Sequence, residues 1–212
     1  MSKRILIGIA GGSGSGKTLV ARTIVRDLGS SRVAIIDQDS YYRDLDDIPI
    51  ADRDLRNFDH PDAFDNELLK RHIKDLLLGK PVEQPIYDYT RHARLKETQP
   101  VGDHAVIVLE GILIFGDEEL RDLMDIKLFI DADADVRLVR RIERDVKERG
   151  RAIETILRQY QATVRPMHLQ FVEPSKRYAD LIVPEGGHNR VAIDLMKVKI
   201  KDLLRERDEE PQ

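Results

Sequence analysis

The sequence predicts an α/β fold, a doubly wound parallel sheet of five strands flanked by helices. Three observations predict it. Five short β-rich runs, Ile5–Ile9, Val33–Ile36, Ala105–Leu109, Ile126–Ile130 and Leu181–Val183, are almost continuously apolar. Unbroken rather than alternating apolarity suits strands covered on both faces, as in a parallel sheet. Amphipathic helical segments alternate with the runs. A glycine-rich loop joins the first strand to the first helix.

Each helix follows from its spacing. Thr18–Leu28 carries Leu19, Val20, Ile24 and Leu28, and Gly29 stops it. Asp65–Leu78 carries Leu68, Leu69, Ile73, Leu76 and Leu77, and Gly79-Lys80-Pro81 stops it. Residues 81–101 break the alternation, and the runs around Pro85–Tyr89 and Leu95–Thr98 predict a β-hairpin insertion. Ala134–Glu148 places Val136, Val139, Ile142 and Val146 on one apolar face. Ile153–Val164 keeps helical spacing and is expected to end before Pro166. Asn189–Leu204 is a last amphipathic helix, and Arg205–Gln212 a charged, frayed tail. The expected organisation is one domain over residues 1–204, with the hairpin at 81–101 and an arginine-rich region at 137–160.

Composition narrows the function. At about 150 residues per domain, 212 residues make one domain. The absence of cysteine excludes disulfides, thiolate metal sites and thiol chemistry. With 35 basic and 39 acidic residues, the net charge of −4 argues against a nucleic-acid surface. Met1–Arg4 followed by an apolar run resembles a signal peptide only faintly, because the run is short and a glycine loop follows. No apolar stretch approaches the ~18 residues of a membrane span. A soluble cytoplasmic protein is expected.

Gly11-Gly12-Ser13-Gly14-Ser15-Gly16-Lys17-Thr18 matches G-x-x-x-x-G-K-[ST]. Such glycines let successive backbone N–H groups turn inward onto phosphate oxygens. Lys17 then reaches the β/γ-phosphates, Thr18 offers a hydroxyl to Mg²⁺, and the helix adds its positive N-terminal end. The fold class is thereby a P-loop NTPase type. The motif does not separate ATP from GTP.

Acidic partners stand at strand ends. Glu110 closes the third apolar run, where an oxygen ligand for Mg²⁺ is needed beside the phosphates. Asp37 and Asp39 follow the second run, at the edge where such sheets bind ligands. An Asp there can accept a proton from a substrate hydroxyl. With period two both face the same way, so spacing does not choose between them, and one can instead cap a turn. Arg137, Arg141 and Arg144 form an i, i+4, i+7 stripe opposite the apolar face of their helix, and Arg149 and Arg151 flank Gly150. They suit either a transferring phosphoryl group or a solvated face paired with Glu143, Asp145 and Glu148.

Four landmarks occur in order: the Gly11–Thr18 loop, Asp37-Gln38-Asp39-Ser40-Tyr41-Tyr42, the Asn57–Asp65 run, and Arg140–Asp145 followed by Glu148-Arg149-Gly150-Arg151. On these the chain resembles the uridine kinases (uridine–cytidine kinases) from about Ile5 to Leu204. The resemblance implies transfer of phosphate from ATP (or GTP) to the 5′-hydroxyl of uridine or cytidine, giving UMP or CMP. It implies Asp39 as general base, with Lys17 in the catalytic machinery, and Thr18 and Glu110, with Asp39 beside them, in the Mg²⁺ shell. Asp59 matches the acid that binds the ribose hydroxyls, with Phe58 adjoining, and Arg141 and Gln159 match further substrate contacts. Tyr87 and His92 match the residues that meet the pyrimidine. Arg149 matches a phosphate contact and Arg151 a substrate contact in a mobile lid. Tyr89 stands where some relatives carry Phe, adding a hydroxyl near the base pocket or toward solvent. Similar proteins have a five-stranded parallel core and assemble as homotetramers. The rivals are another small-molecule kinase on this scaffold, phosphoribulokinase-like or pantothenate-kinase-like, and a non-catalytic nucleotide-binding regulator. A guanine-nucleotide switch is disfavoured, since none of Asn57, Asn66 and Asn189 precedes Lys.

Overall fold

The structure is a computed structural model describing residues 4–209 other than 46, 54 and 103. Five strands form the expected parallel sheet: β1 (Ile5–Gly11), β2 (Val33–Asp37), β5 (Val106–Gly111), β6 (Ile126–Ile130) and β7 (Leu181–Val183). Their order is β2-β5-β1-β6-β7. The centre is β1, paired in parallel with β5 and β6. Its side chains alternate between two cores. Ile5, Ile7 and Ile9 pack with Val20 and Ile24 of α1 (Lys17–Leu28) and with Ile193 and Ile200 of a C-terminal helix. Leu6 and Ala10 pack on the other side with Phe115, Phe129 and, from α2 (Asn66–Leu77), Leu69 and Ile73. Apolar residues on both faces of every central strand explain the unbroken hydrophobic runs.

The insertion is a hairpin separate from the main sheet, β3 (Val82–Asp88) paired antiparallel with β4 (Ala93–Val101). Three expectations change. The apolar face of α3 (Ala134–Arg149) is turned outward, with Val139 56% exposed, while Arg137, Arg141 and Asp145 are buried. Helix α3 covers the charged cavity rather than an apolar core, so its polar stripe is its inner face. The helix beginning at α4 (Ile153–Gln159) does not stop before Pro166. Helical backbone continues through π turns at Tyr160–Val164 and His168–Val172 and ends at Tyr178. Each π turn lies just before a proline, Pro166 or Pro174. Widening the turn accommodates a residue with no N–H and a ring that crowds the preceding carbonyl. The last helix, α5 (Arg190–Glu209), runs into the segment expected to fray.

Candidate active site

At the C-terminal edge of the sheet lies a cavity of about 520 Å³. Its floor is the β1–α1 loop. Gly14 (φ 79°) and Gly16 (φ 99°) hold left-handed backbone there, and a Cβ on Gly14 would sit 2.4 Å from the Arg137 carbonyl oxygen. Only glycine makes this bend without strain. The loop Gly11–Gly16 thus leads into the N-terminus of α1, with the Ser15 N–H donating to the Gly12 carbonyl at 3.0 Å to close the bend. Lys17 is buried against it, its Nζ donating to the Gly12 carbonyl at 3.2 Å. Burial holds its ammonium below the usual lysine range, opposed by the nearby Glu110 and Asp39 charges.

Thr18 and Glu110 meet, the hydroxyl donating to Glu110 Oε2 at 3.0 Å. Asp37 pairs in register with Glu110 across β2 and β5. The two aspartates left open by their spacing have different partners. Asp37 accepts the Asp39 backbone N–H at 3.0 Å and caps the short 3₁₀ turn. Burial, then the neighbouring Asp39 and Glu110 charges, push its carboxyl well above the usual range. Asp39 lines the cavity with its Oδ2 toward the hairpin. Burial also raises Glu110, with Lys17 pulling the other way.

Opposite the loop the cavity is aromatic. Phe58 stacks on His92, centroids 4.5 Å apart at 19°. Tyr42 packs on Phe58 and on Tyr87. His92 Nδ1 lies 3.4 Å from the Tyr87 hydroxyl, and its Nε2 lies 2.9 Å from Arg151 Nη2. A guanidinium can only donate, so Nε2 accepts and the ring proton belongs on Nδ1. Asp59 is buried nearby, and its burial raises its pKa while Arg141 lowers it.

The remaining wall is positive. Arg141 donates to Ser13 Oγ of the loop at 3.1 Å and to Gln159 Oε1 at 2.8 Å. Arg151 reaches the same Gln159 oxygen at 3.5 Å. Arg144, Arg149, Arg141 and Arg151 surround one carboxylate, Asp145, at 2.8, 3.4, 3.7 and 3.6 Å. Expected among the solvated acids, Asp145 is instead 0% exposed, and the arginines hold it below the usual carboxylate range against its burial. Its i, i+4 spacing from Arg141 and to Arg149 was the available signal. Arg137 does not join the cavity wall. It lies behind the loop, with Nε donating to the Ala132 carbonyl at 3.0 Å and Nη2 3.1 Å from His168 Nε2.

The cavity therefore gathers Ser13, Lys17, Thr18, Asp39, Phe58, Asp59, Tyr87, His92, Glu110, Arg141, Arg149, Arg151 and Gln159. It adds Tyr42, Tyr89 and Arg144, which stand in runs named in the sequence, and Arg22, which carries no motif of its own. A second cleft of about 380 Å³, unsuspected from the sequence, lies between α3 and the loop after β7 and is lined by Asp133, Val136, Arg140, Pro184, Glu185 and His188. Arg140 ties it to the phosphate loop through the Ser15 carbonyl, at 3.5 Å.

A parallel sheet with a phosphate loop after its central strand, facing acids and arginines, defines a P-loop kinase. The family model described as Phosphoribulokinase / Uridine kinase family matches residues 6–192, and the chain belongs to that family. It is 54% identical over 207 residues to the uridine kinase of Ligilactobacillus salivarius, covering 98% of this chain and 97% of that protein. It is 56% identical over 200 residues to the uridine kinase of Bacillus velezensis, covering 94% and 95%. Among solved structures, phosphoribulokinase from Rhodobacter spheroides matches with a TM-score of 0.62 at 15% identity, covering 86% of this chain and 70% of that one. The D-glycerate 3-kinase of Cryptococcus neoformans matches with a TM-score of 0.61 at 17% identity, covering 83% and 81%. These two likenesses concern the fold.

Proposed function

We propose that this chain transfers the γ-phosphoryl group of ATP to the 5′-hydroxyl of uridine and cytidine. The observation that carries the reading is one cavity holding both ends of such a reaction: a phosphate loop with Lys17, and an aromatic slot of Phe58, Tyr87 and His92 beside the buried Asp59. A flat pyrimidine suits the slot, and vicinal ribose hydroxyls are paired donors that one carboxylate can accept. The uridine kinases that are more than half identical along nearly the whole chain support the same substrate class.

The loop N–H groups and Lys17 hold the β/γ-phosphates, and Arg141, Arg149 and Arg151 face the moving phosphoryl group. Asp39 accepts the 5′-hydroxyl proton while Asp37 stays engaged as a cap. The second cleft, beside Arg140 and the loop after β7, is the proposed seat of the donor base. The donor set fits Mg²⁺: a hydroxyl and two carboxylates are hard oxygens, and the crowded acids Asp37, Asp39 and Glu110 repel one another without a cation. Among the described residues no cluster of three or more His, Asp or Glu side chains is set to cage a metal. Mg²⁺ needs none, since it keeps waters and shares phosphate oxygens. Thr18 and Glu110 would hold it, with Asp39 adjacent, and it would supply neutralisation of charge between the β- and γ-phosphates.

Coupled ADP release over a nucleoside panel tests the reading. Uridine and cytidine should drive turnover, 2′-deoxyuridine should drive it poorly, and Asp39→Asn should lose ~10²–10⁴ of the rate with ATP binding intact. No nucleoside-dependent ADP release would overturn the substrate assignment, and full-rate 2′-deoxyuridine the role of Asp59.

Homotetrameric assembly is part of the proposal. It is supported by outward apolar residues at helical spacing on two elements: Val136, Val139 and Val146 on α3, and Val191, Leu195 and Val198 on α5. Among the described residues no helix is long and apolar enough to cross a membrane, in keeping with a cytoplasmic enzyme.

A further inference from the structure

Tyr89 begins the four-residue turn between β3 and β4. Asp88 fixes that turn, its Oδ1 accepting the Thr90 N–H at 2.8 Å, the Thr90 hydroxyl at 2.6 Å and the Arg91 N–H at 3.2 Å. His92 closes the turn with φ 47°. The Tyr89 ring is thus delivered from a braced support and packs edge-on against Tyr87, centroids 5.4 Å apart. Its hydroxyl points toward Asp39 and donates to its Oδ2 at 3.4 Å. The Arg149 guanidinium lies over the face of the same ring, 4.0 Å from its centroid. Arg151 Nη2 donates to the Tyr89 carbonyl at 3.4 Å.

We propose that Tyr89 is a positioning residue that joins the arginine segment to Asp39: its hydroxyl sets the direction of the Asp39 carboxylate, and its ring seats Arg149. The inference rests on the reading of Asp39 as the group that takes the acceptor proton. Asp39 stands among charges that pull it off that task. Asp37 and Glu110 repel it, and Lys17 attracts it toward the loop. A short side chain with two torsions follows the strongest charge unless a donor holds one oxygen. Tyr89 holds Oδ2 from the hairpin side, which leaves Oδ1 for the acceptor hydroxyl. Arg149, only 16% exposed, is held by Asp145 on one side and by the ring on the other. A cation over an aromatic face counts for more when water is excluded. Tyr89 therefore binds neither phosphate nor nucleobase itself and acts through the two residues that it touches.

Two variants separate the hydroxyl from the ring, with uridine and ATP varied in turn. Tyr89→Phe keeps the ring and should lower kcat about tenfold, with both KM values within about twofold. Tyr89→Leu removes the ring as well, and should add a rise of roughly fivefold or more in the KM for ATP. A merely structural role would lower the melting temperature or raise the KM for uridine and leave kcat per folded molecule unchanged. Tyr89→Phe with kcat within twofold of the parent overturns the hydroxyl role, and Tyr89→Leu with the same KM for ATP as Tyr89→Phe overturns the ring role. A parent enzyme inactive on uridine overturns the substrate reading instead, and is told apart because it appears before any variant is compared.

Discussion

Helices α1 and α3 carry similar amphipathic patterns and bury opposite faces. Helix α1 buries Val20, Ala21 and Ile24 against the sheet. Helix α3 buries Arg137, Arg141 and Asp145 and leaves Val136, Val139 and Val146 outside. Periodicity reports that two faces differ, not which one is covered. The cover decides: β1 and β5 offer α1 an apolar surface, whereas α3 stands over a phosphate loop and a cavity. A buried polar stripe on a helix beside a glycine loop is thus a mark of a site. It also divides the labour beyond the first turn of α1, where Lys17 and Thr18 belong to the site: the rest of α1 should carry stability and α3 chemistry.

The sharpest break of that contrast is Arg141→Met. It removes a guanidinium that reaches Ser13 and Gln159 while keeping a similar apolar volume. Its kcat/KM should fall by ~10³, in the range seen for arginines in phosphoryl transfer. Asp145 keeps Arg144, Arg149 and Arg151 when Arg141 is lost, so its buried charge stays compensated and the denaturant midpoint should shift little. A large loss of stability would make Arg141 a structural residue like those of α1. The counterpart is Ile24→Ala, fully buried between α1 and β1. It should cost ~2–5 kcal/mol in urea unfolding, with kcat per folded molecule unchanged.

Much of this was legible in the sequence for a physical reason. A strand buried on both faces must be apolar throughout, so Ile5–Ile9 and Ile126–Ile130 announced themselves. A loop that wraps phosphate must be glycine-rich, so Gly11–Thr18 did too. What was not legible depends on contacts far apart in the chain. Asp37 and Asp39 share one spacing, and only the cap on the Asp39 N–H tells them apart. Asp145 looked like a surface acid until four arginines closed over it. Pro166 signals a helix end by local rules, and the π turn before it lets the helix continue. Tyr89 matched a variable position, and its direction is set by the Asp88 turn.

A milder test lies behind the phosphate loop, where α3 meets the second π turn. Burial, and then the positive Arg137, hold the His168 imidazole down to about 4. An unfolded histidine titrates near 6.5. Between those values the unfolded chain binds the proton and the folded one does not, so stability rises with pH across the window. Full stability is present above about pH 6.5, and it is lost as pH falls toward 4. His168 is mostly covered, so the loss should reach about 1–2 kcal/mol in chemical unfolding at pH 4.5 against pH 7. His168→Gln should flatten that slope, and an unchanged slope would assign the pH dependence to other groups.

The smallest effect on the isolated chain should come from the outward face of α3. Val139 is 56% exposed and makes no part of either apolar core. Val139→Lys should change chain stability by less than ~0.5 kcal/mol, as for surface sites without special contacts. The same change puts a charge at the centre of a stripe that also holds Val136 and Val146. Were that stripe covered by another copy, the lysine would have to be desolvated unpaired, at a cost far larger than the chain alone reveals. Light scattering should then record a drop from tetramer to a smaller species, while the melting temperature falls only as far as lost assembly requires. A variant that stays tetrameric would leave the inversion of α3 intact, with Arg141 still inside, but would move the proposed interface to the exposed valines and leucine of α5.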